Sequence, residues 1–180
     1  HSVNEKKQVV FLHGTTWLTK HWPEQYWRHL AHIATESGYQ VLLPWGNLEE
    51  RRRAEFIGKD NGLVTILDKQ TLSGLAQKIN ASCGVIAVDT GLGHLAAALA
   101  KPTLSLYGPT NPGLSGTYGA KQLHLNSDFS CAPCVMKVCG YSGAGVNDDF
   151  KGQTFAVIPP CFSSHKPENV WQRFENLLQE

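Results

Sequence analysis

The chain has 180 residues, 42% of them hydrophobic and 17% charged, with a formal net charge of +1. That composition is too apolar for a disordered segment and long enough for one domain with a sizeable core. The near-neutral balance gives no electrostatic reason to expect a nucleic acid as partner, and no apolar run approaches the roughly 18 residues that cross a bilayer.

The chain opens on His1 rather than Met, which reads as a domain taken from a longer chain or a processed product. Gln8 to His13 is an apolar run that predicts a strand, ending at Gly14-Thr15-Thr16. Pro23 to Ser37 carries Tyr26, Trp27, Leu30, Ile33 and Ala34 at helical spacing, with Pro23 suited to the start and Gly38 to the stop. Tyr39 to Leu43 predicts a second strand and Leu48 to Ile57 a charged helix, followed by the loop Lys59-Asp60-Asn61-Gly62. Leu63 to Leu67 is a third strand and Thr71 to Ala81 a third helix. Val85 to Val88 is a fourth strand, Thr90 to Ala100 an Ala/Leu-rich helix, and Thr103 to Tyr107 a fifth strand. Beyond Gly108 the pattern loosens. Asn111 to Ala120 reads as a Gly/Pro-rich loop and Gln122 to Asn126 as a short strand. Residues 127–161 form an irregular, Cys-containing segment, and residues 166–180 a closing helix with Val170, Phe174 and Leu177 on one face.

Five apolar strands alternating with helices predict an α/β fold: a Rossmann-like, doubly wound parallel sheet with helices on both faces. Ligands of such sheets bind at the carboxyl ends of the strands, which directs attention to residues 13–20, 44–50 and 89–94.

Asp89-Thr90-Gly91-Leu92-Gly93-His94 follows a buried strand and opens a helix. Thr90 is suited to cap that helix, and Gly91 lets a ligand approach the backbone. The free N–H groups and the helix dipole then suit a diphosphate, with His94 one turn in. The same residues also serve a plain capped helix with a satisfied His. Gly14-Thr15-Thr16 followed by Lys20 offers two hydroxyls and an ammonium, good phosphate partners, although the P-loop spacing is absent and a lone Lys is usually a solvated one. Glu50, like Glu49 in the first turn after the second strand, is placed either to hold a ribose diol or merely to favour the helix dipole. Trp17, Trp22, Trp27 and Trp45 fall near the same edge, as core residues or, for one of them, as a pocket wall.

Cys131, Cys134, Cys139 and Cys161 form C-x2-C-x4-C with the fourth Cys 22 residues on. The first pair is a common zinc half-site, but the remaining spacing matches no familiar zinc motif. A structural zinc, free thiols and disulfides formed after purification all stay open.

Three stretches together resemble the ADP-heptose:lipopolysaccharide heptosyltransferases. They are His13-Gly-Thr-Thr-(x)3-Lys20-His-Trp-Pro23, Leu43-Pro-Trp-Gly46, and Asp89-Thr-Gly-x-x-His94-(x)2-Ala-Ala98, continuing to Leu106-Tyr-Gly-Pro109. The resemblance covers residues 8 to 115 and, more weakly, the closing helix, and is greatest to the type I branch. It implies one half of a GT-B fold, with residues 1–180 as the C-terminal domain that binds ADP-heptose and an N-terminal acceptor domain lying outside this chain. By the resemblance, Thr15, Thr16 and Lys20 contact the donor phosphates and Glu50 the ribose. Asp89 meets the heptose hydroxyls, and Thr90, Gly91 and His94 complete the diphosphate pocket. Adenine is expected near Leu67 to Gln70. The family's general base is a carboxylate of the other domain, so Lys20 and Asp89 are expected to act by positioning and transition-state stabilisation, and this chain alone to be inactive. The implied reaction is inverting heptosyl transfer to Kdo-lipid A, with no cofactor required for catalysis, in the cytoplasm in peripheral contact with the inner membrane. Two other readings remain, an epimerase-like nucleotide-sugar domain and a non-catalytic nucleotide-binding module.

Overall fold

A computed structural model describes residues 7–180. Its elements follow in chain order as β1 (Gln8–Leu12), α1 (Glu24–Glu36), β2 (Gln40–Leu43), α2 (Leu48–Gly58), β3 (Val64–Ile66), α3 (Leu72–Ala81), β4 (Gly84–Val88), α4 (Gly91–Ala98), β5 (Thr103–Leu106), α5 (Pro112–Ser115), β6 (Gln122–Leu125), β7 (Asn147–Phe150), β8 (Gln153–Ala156) and α6 (Pro167–Gln179). Strands β1 to β6 form one sheet in the order β3-β2-β1-β4-β5-β6, with every pairing parallel. This is the Rossmann-like, doubly wound arrangement expected, with the order reversing between β1 and β4.

The alternation within the central strands explains the two covered faces. Val9 and Phe11 of β1 point into one core with Trp27 and Leu30 of α1, Ile57 of α2 and Phe174 of α6. Val10 and Leu12 point the other way, against Leu75 and Ile79 of α3 and Ala96 of α4. Each fully buried side chain of this size contributes about 1.5–3 kcal/mol through lost apolar surface. Where α6 crosses β4 only a glycine fits: a Cβ on Gly84 would lie 2.9 Å from Leu178, Phe174 and the Pro102 carbonyl.

The caps are local. Asn47 Oδ1 accepts from Glu50 N at 2.9 Å and Thr71 Oγ1 from Gly74 N at 3.0 Å, fixing the starts of α2 and α3. At α4 the expectation fails, because Thr90 is the N-cap residue but its side chain makes no cap hydrogen bond. The first N–H groups of that helix are therefore not capped by a side chain.

Two further elements depart from the sequence reading. The loop after Gly108 contains the short helix α5, capped by Asn111. Inside the irregular segment, β7 and β8 pair as an antiparallel hairpin. It docks on α1: Phe150 stacks on His29 with ring centroids 4.2 Å apart, and Phe155 meets Tyr26 edge-on. Tyr26 Oη donates to Asp148 Oδ2 at 2.6 Å, and Lys166 Nζ pairs with the same oxygen at 2.5 Å. Residues 127–146 carry no strand or helix, as expected. Among the described residues no helix is long and apolar enough to cross a membrane.

Candidate functional site

A cleft of about 840 Å³ opens at the carboxyl ends of β1 to β4. Parallel strands deliver their following turns to one edge, and the reversal between β1 and β4 parts two of those turns. Gly14, Thr15, Thr16 and Lys20 line the cleft from the turn after β1, and Pro44, Trp45 and Glu50 from the turn after β2. Gln70 to Leu72 enter from the start of α3, and Asp89, Thr90, Gly91 and His94 from the turn after β4. Every substrate-site candidate from the turns after β1, β2 and β4 lies on this one surface.

Asp89 is the centre of one end. Its side chain is 8% exposed, and Oδ2 is 2.8 Å from Lys20 Nζ and accepts from Thr110 Oγ1, also at 2.8 Å. Thr15 Oγ1 donates to the Asp89 carbonyl at 3.0 Å, tying the turn after β1 to the turn after β4. That hydroxyl, expected on a phosphate, is used here to join the two turns. The Lys20 ammonium also lies 4.4 Å from the centroid of the Trp17 ring. A Cβ placed on Gly91 would meet nothing within 4 Å, so the backbone at the start of α4 faces open space. Uncapped N–H groups, a positive helix end and a lysine on the same cleft are the chemistry that suits an anion.

Glu50 marks the other side. Gly46 N donates to Glu50 Oε2 at 2.6 Å, which turns the carboxylate toward the sheet edge. A Cβ on Gly14 would fall 2.6 Å from Glu50 Oε1, so the glycine leaves the space that this side chain fills. Trp45 walls the cleft, its Nε1 donating to Leu67 O at 2.7 Å, while Trp22 and Trp27 are buried in the core. Of the stretch expected to face adenine, Gln70 lines the cleft, whereas Leu67 is buried and takes part through its carbonyl.

Beneath the turn after β1 lies His13, 1% exposed, with Nε2 2.9 Å from the Pro44 carbonyl. Burial, reinforced by the Arg53 guanidinium, pushes its pKa down to about 3, so the ring is neutral and joins the ends of β1 and β2. Burial and Arg53 also lower the pKa of His21.

Among the described residues no three His, Cys, Asp or Glu side chains are placed to hold a metal ion. Cys131, Cys134 and Cys139 are exposed on the irregular segment, while Cys161 is buried in a short turn beside Phe162 and Gly108. Burial, with the three neighbouring thiols adding to it, pushes the Cys161 pKa up to about 12 and keeps it protonated. All five cysteines are free thiols.

Two residues at this edge were not legible in the sequence. Thr110 follows directly on the Leu106-Tyr-Gly-Pro109 stretch after β5, and its only signal is a hydroxyl at the correct sheet edge. Lys137 sits in the irregular segment, far along the chain, yet its ammonium lies 5.3 Å from the centroid of the Trp17 ring.

Residues 1–144 match the model of glycosyltransferase family 9 (heptosyltransferase). The chain is 48% identical over 173 residues to lipopolysaccharide heptosyltransferase 1 of Pseudomonas aeruginosa, covering 94% of this chain and 48% of that protein. The structure of the E. coli heptosyltransferase WaaC with ADP superposes with a TM-score of 0.65 and 43% identity, over 68% of this chain and 38% of that one. The E. coli ADP-heptose lps heptosyltransferase II shares the fold, with a TM-score of 0.73 at 21% identity over 98% of this chain and 47% of that one. The chain spans about half the length of the first of these relatives.

Proposed function

The chain belongs to glycosyltransferase family 9, the heptosyltransferases, and from that premise we propose that it is the donor domain of a lipopolysaccharide heptosyltransferase, binding ADP-heptose. The observation that carries the reading is the single cleft in which an anion site and an acidic ribose partner face each other across the sheet edge. The diphosphate lies on Lys20, Thr16 and the N–H groups after Asp89. The ribose diol lies on Glu50, the adenine toward Gln70 and Thr71, and the heptose toward Asp89. WaaC, a 43% identical relative, has a structure with ADP, which supports the nucleotide.

The reaction proposed is inverting transfer. An acceptor hydroxyl attacks the anomeric carbon, the bond from that carbon to the diphosphate oxygen breaks, and ADP leaves from the opposite face. Negative charge grows on the departing diphosphate. Lys20 is held in place by Asp89 at 2.8 Å, so its ammonium is preorganised for that charge rather than recruited during the step. Thr110 donates to the same Asp89 oxygen as Lys20, which leaves Oδ1 for a sugar hydroxyl. The general base, and most of the Kdo-lipid A acceptor site, belong to an N-terminal domain outside this chain, and closure of the two domains excludes water. The setting is the cytoplasmic face of the inner membrane, with peripheral contact to it.

Isothermal titration of ADP and UDP into the chain tests the nucleotide. The proposal expects one ADP site and weaker UDP binding; equal binding of both, or of neither, contradicts it.

A further inference from the structure

Residues 127–146 look like a surface excursion in the sequence, but they fold back onto the Asp89 end of the cleft. Thr19 Oγ1 donates to the Met136 carbonyl at 2.6 Å, and Val135 N donates to the Pro109 carbonyl at 2.8 Å. Thr19 is 4% exposed, so the first of these bonds is sheltered from water. Thr19 precedes Lys20, and Pro109 precedes Thr110, so the two anchors lie next to both side chains that hold Asp89. The strap therefore carries Lys137 to the Trp17 ring that Lys20 also touches.

Lys137 stands apart from its surroundings. It is the one charged residue between Asp128 and Asp148. It makes no ion pair among the described residues, whereas Lys20 is paired with Asp89. Its neighbours Val135, Met136 and Val138 are 55%, 55% and 72% exposed, and Leu18, beside Trp17, is 74% exposed. Lys137 does not line the cleft itself, and the Trp17 ring it shares with Lys20 sets it beside the Lys20–Asp89 end. A free ammonium among exposed apolar side chains, at the end where the sugar is handed over, matches an acidic, lipid-linked sugar better than it matches the donor.

We propose that Lys137 binds an acidic group of the acceptor, a carboxylate or a phosphate, and so determines acceptor specificity. This rests on the donor-domain reading above, which fixes which end of the cleft holds the transferred sugar. A charged hydrogen bond of this kind contributes enough to change affinity about ten- to a hundredfold.

The test is steady-state transfer by the complete protein, varying Kdo-lipid A and ADP-heptose separately, with ADP titrated in parallel. Lys137→Ala raises the acceptor KM about tenfold or more and leaves kcat, the donor KM and ADP affinity unchanged, and Lys137→Arg restores the acceptor KM. Repeating the comparison with a dephosphorylated acceptor and with a carboxyl-amidated one identifies the group, because removing the partner abolishes the difference between wild type and Lys137→Ala. An unchanged acceptor KM, a difference that survives both acceptor modifications, or a loss of ADP affinity in Lys137→Ala overturns the proposal while the donor reading stands. Failure of the wild type to bind ADP overturns the donor reading, and the assignment of Lys137 falls with it. Unchanged thermal unfolding of Lys137→Ala, expected for an exposed side chain, keeps a folding defect from imitating the result.

Discussion

Replacing Lys20 separates binding from stability at the proposed diphosphate site. Lys20 Nζ lies 2.8 Å from Asp89 Oδ2, and the two side chains are 16% and 8% exposed. Lys20→Met keeps the unbranched stem and removes the ammonium, with its contact to the Trp17 ring. Two losses follow. ADP loses a charge-assisted hydrogen bond, about 1.5–3 kcal/mol or roughly 10- to 150-fold in Kd. Asp89 keeps its charge with Thr110 as the remaining side-chain donor, and breaking a largely buried pair from one side costs up to about 3–5 kcal/mol of stability. The small residual exposure of both groups places the expected cost below the upper end of that range. The double variant Lys20→Met with Asp89→Asn removes the stranded charge, so its stability recovers while ADP binding stays weak. Calorimetry with ADP and AMP, and urea unfolding, are run on wild type, single and double variants. ADP affinity that matches the wild type in Lys20→Met refutes the placement of the diphosphate. A double variant no more stable than the single refutes the account of the pair.

Gly14→Ala should push the Glu50 carboxylate out of its place, since the new Cβ would lie 2.6 Å from Oε1; ADP affinity falls about tenfold by calorimetry while the thermal midpoint moves little, because the displaced group is the end of a flexible side chain. Gly84→Ala has no such escape, with the Pro102 carbonyl at 2.9 Å, and should cost about 1–3 kcal/mol in urea unfolding with an unchanged fold. Stability should fall on acidification: His13 has an ordinary pKa of 6.5 when unfolded and about 3 when folded, so its contribution is complete above pH 6.5 and is lost as the pH drops toward 3. Between pH 7 and 5 that is roughly 2 kcal/mol by urea titration, and His13→Gln should flatten the slope. Thiol titration of the native chain should show Cys131, Cys134 and Cys139 reacting at once and Cys161 only after unfolding; a bound zinc that protects the exposed three would contradict the placement of these side chains.

The fold was legible where local chemistry agrees with tertiary demand. Buried runs such as Val9 to Leu12 and Val85 to Val88 need no partner information to declare a central parallel strand. Asn47 caps its helix, as the residue type predicts. The misses share a cause, which is contact distant in sequence. Asn147 to Phe150 and Gln153 to Ala156 are polar enough to read as loop, and they form a hairpin because Phe150 and Phe155 find His29 and Tyr26 on α1. Thr90 has the right side chain to cap α4 but does not use it, and the Thr15 hydroxyl donates to Asp89 O, a contact between two turns that nothing in the sequence announced. The C-x2-C spacing left the state of the four clustered cysteines open, and spacing along the chain says nothing of burial: the fold buries Cys161 while leaving the other three exposed. Lys20, Glu50, Asp89 and Thr90 were readable because strand-to-helix turns of a parallel sheet converge on one edge whatever their separation in sequence. Thr110 and Lys137 were not, because each reaches that edge from a loop with no periodicity to announce it.

The structure of this chain with ADP bound tests the central claim most directly. The account predicts the diphosphate between Lys20 Nζ and the backbone N–H groups of residues 90–92, with the ribose diol within hydrogen-bond distance of the Glu50 carboxylate. ADP bound elsewhere on the sheet, or in the cleft with its diphosphate turned toward Glu50 and its ribose toward Asp89, would contradict it.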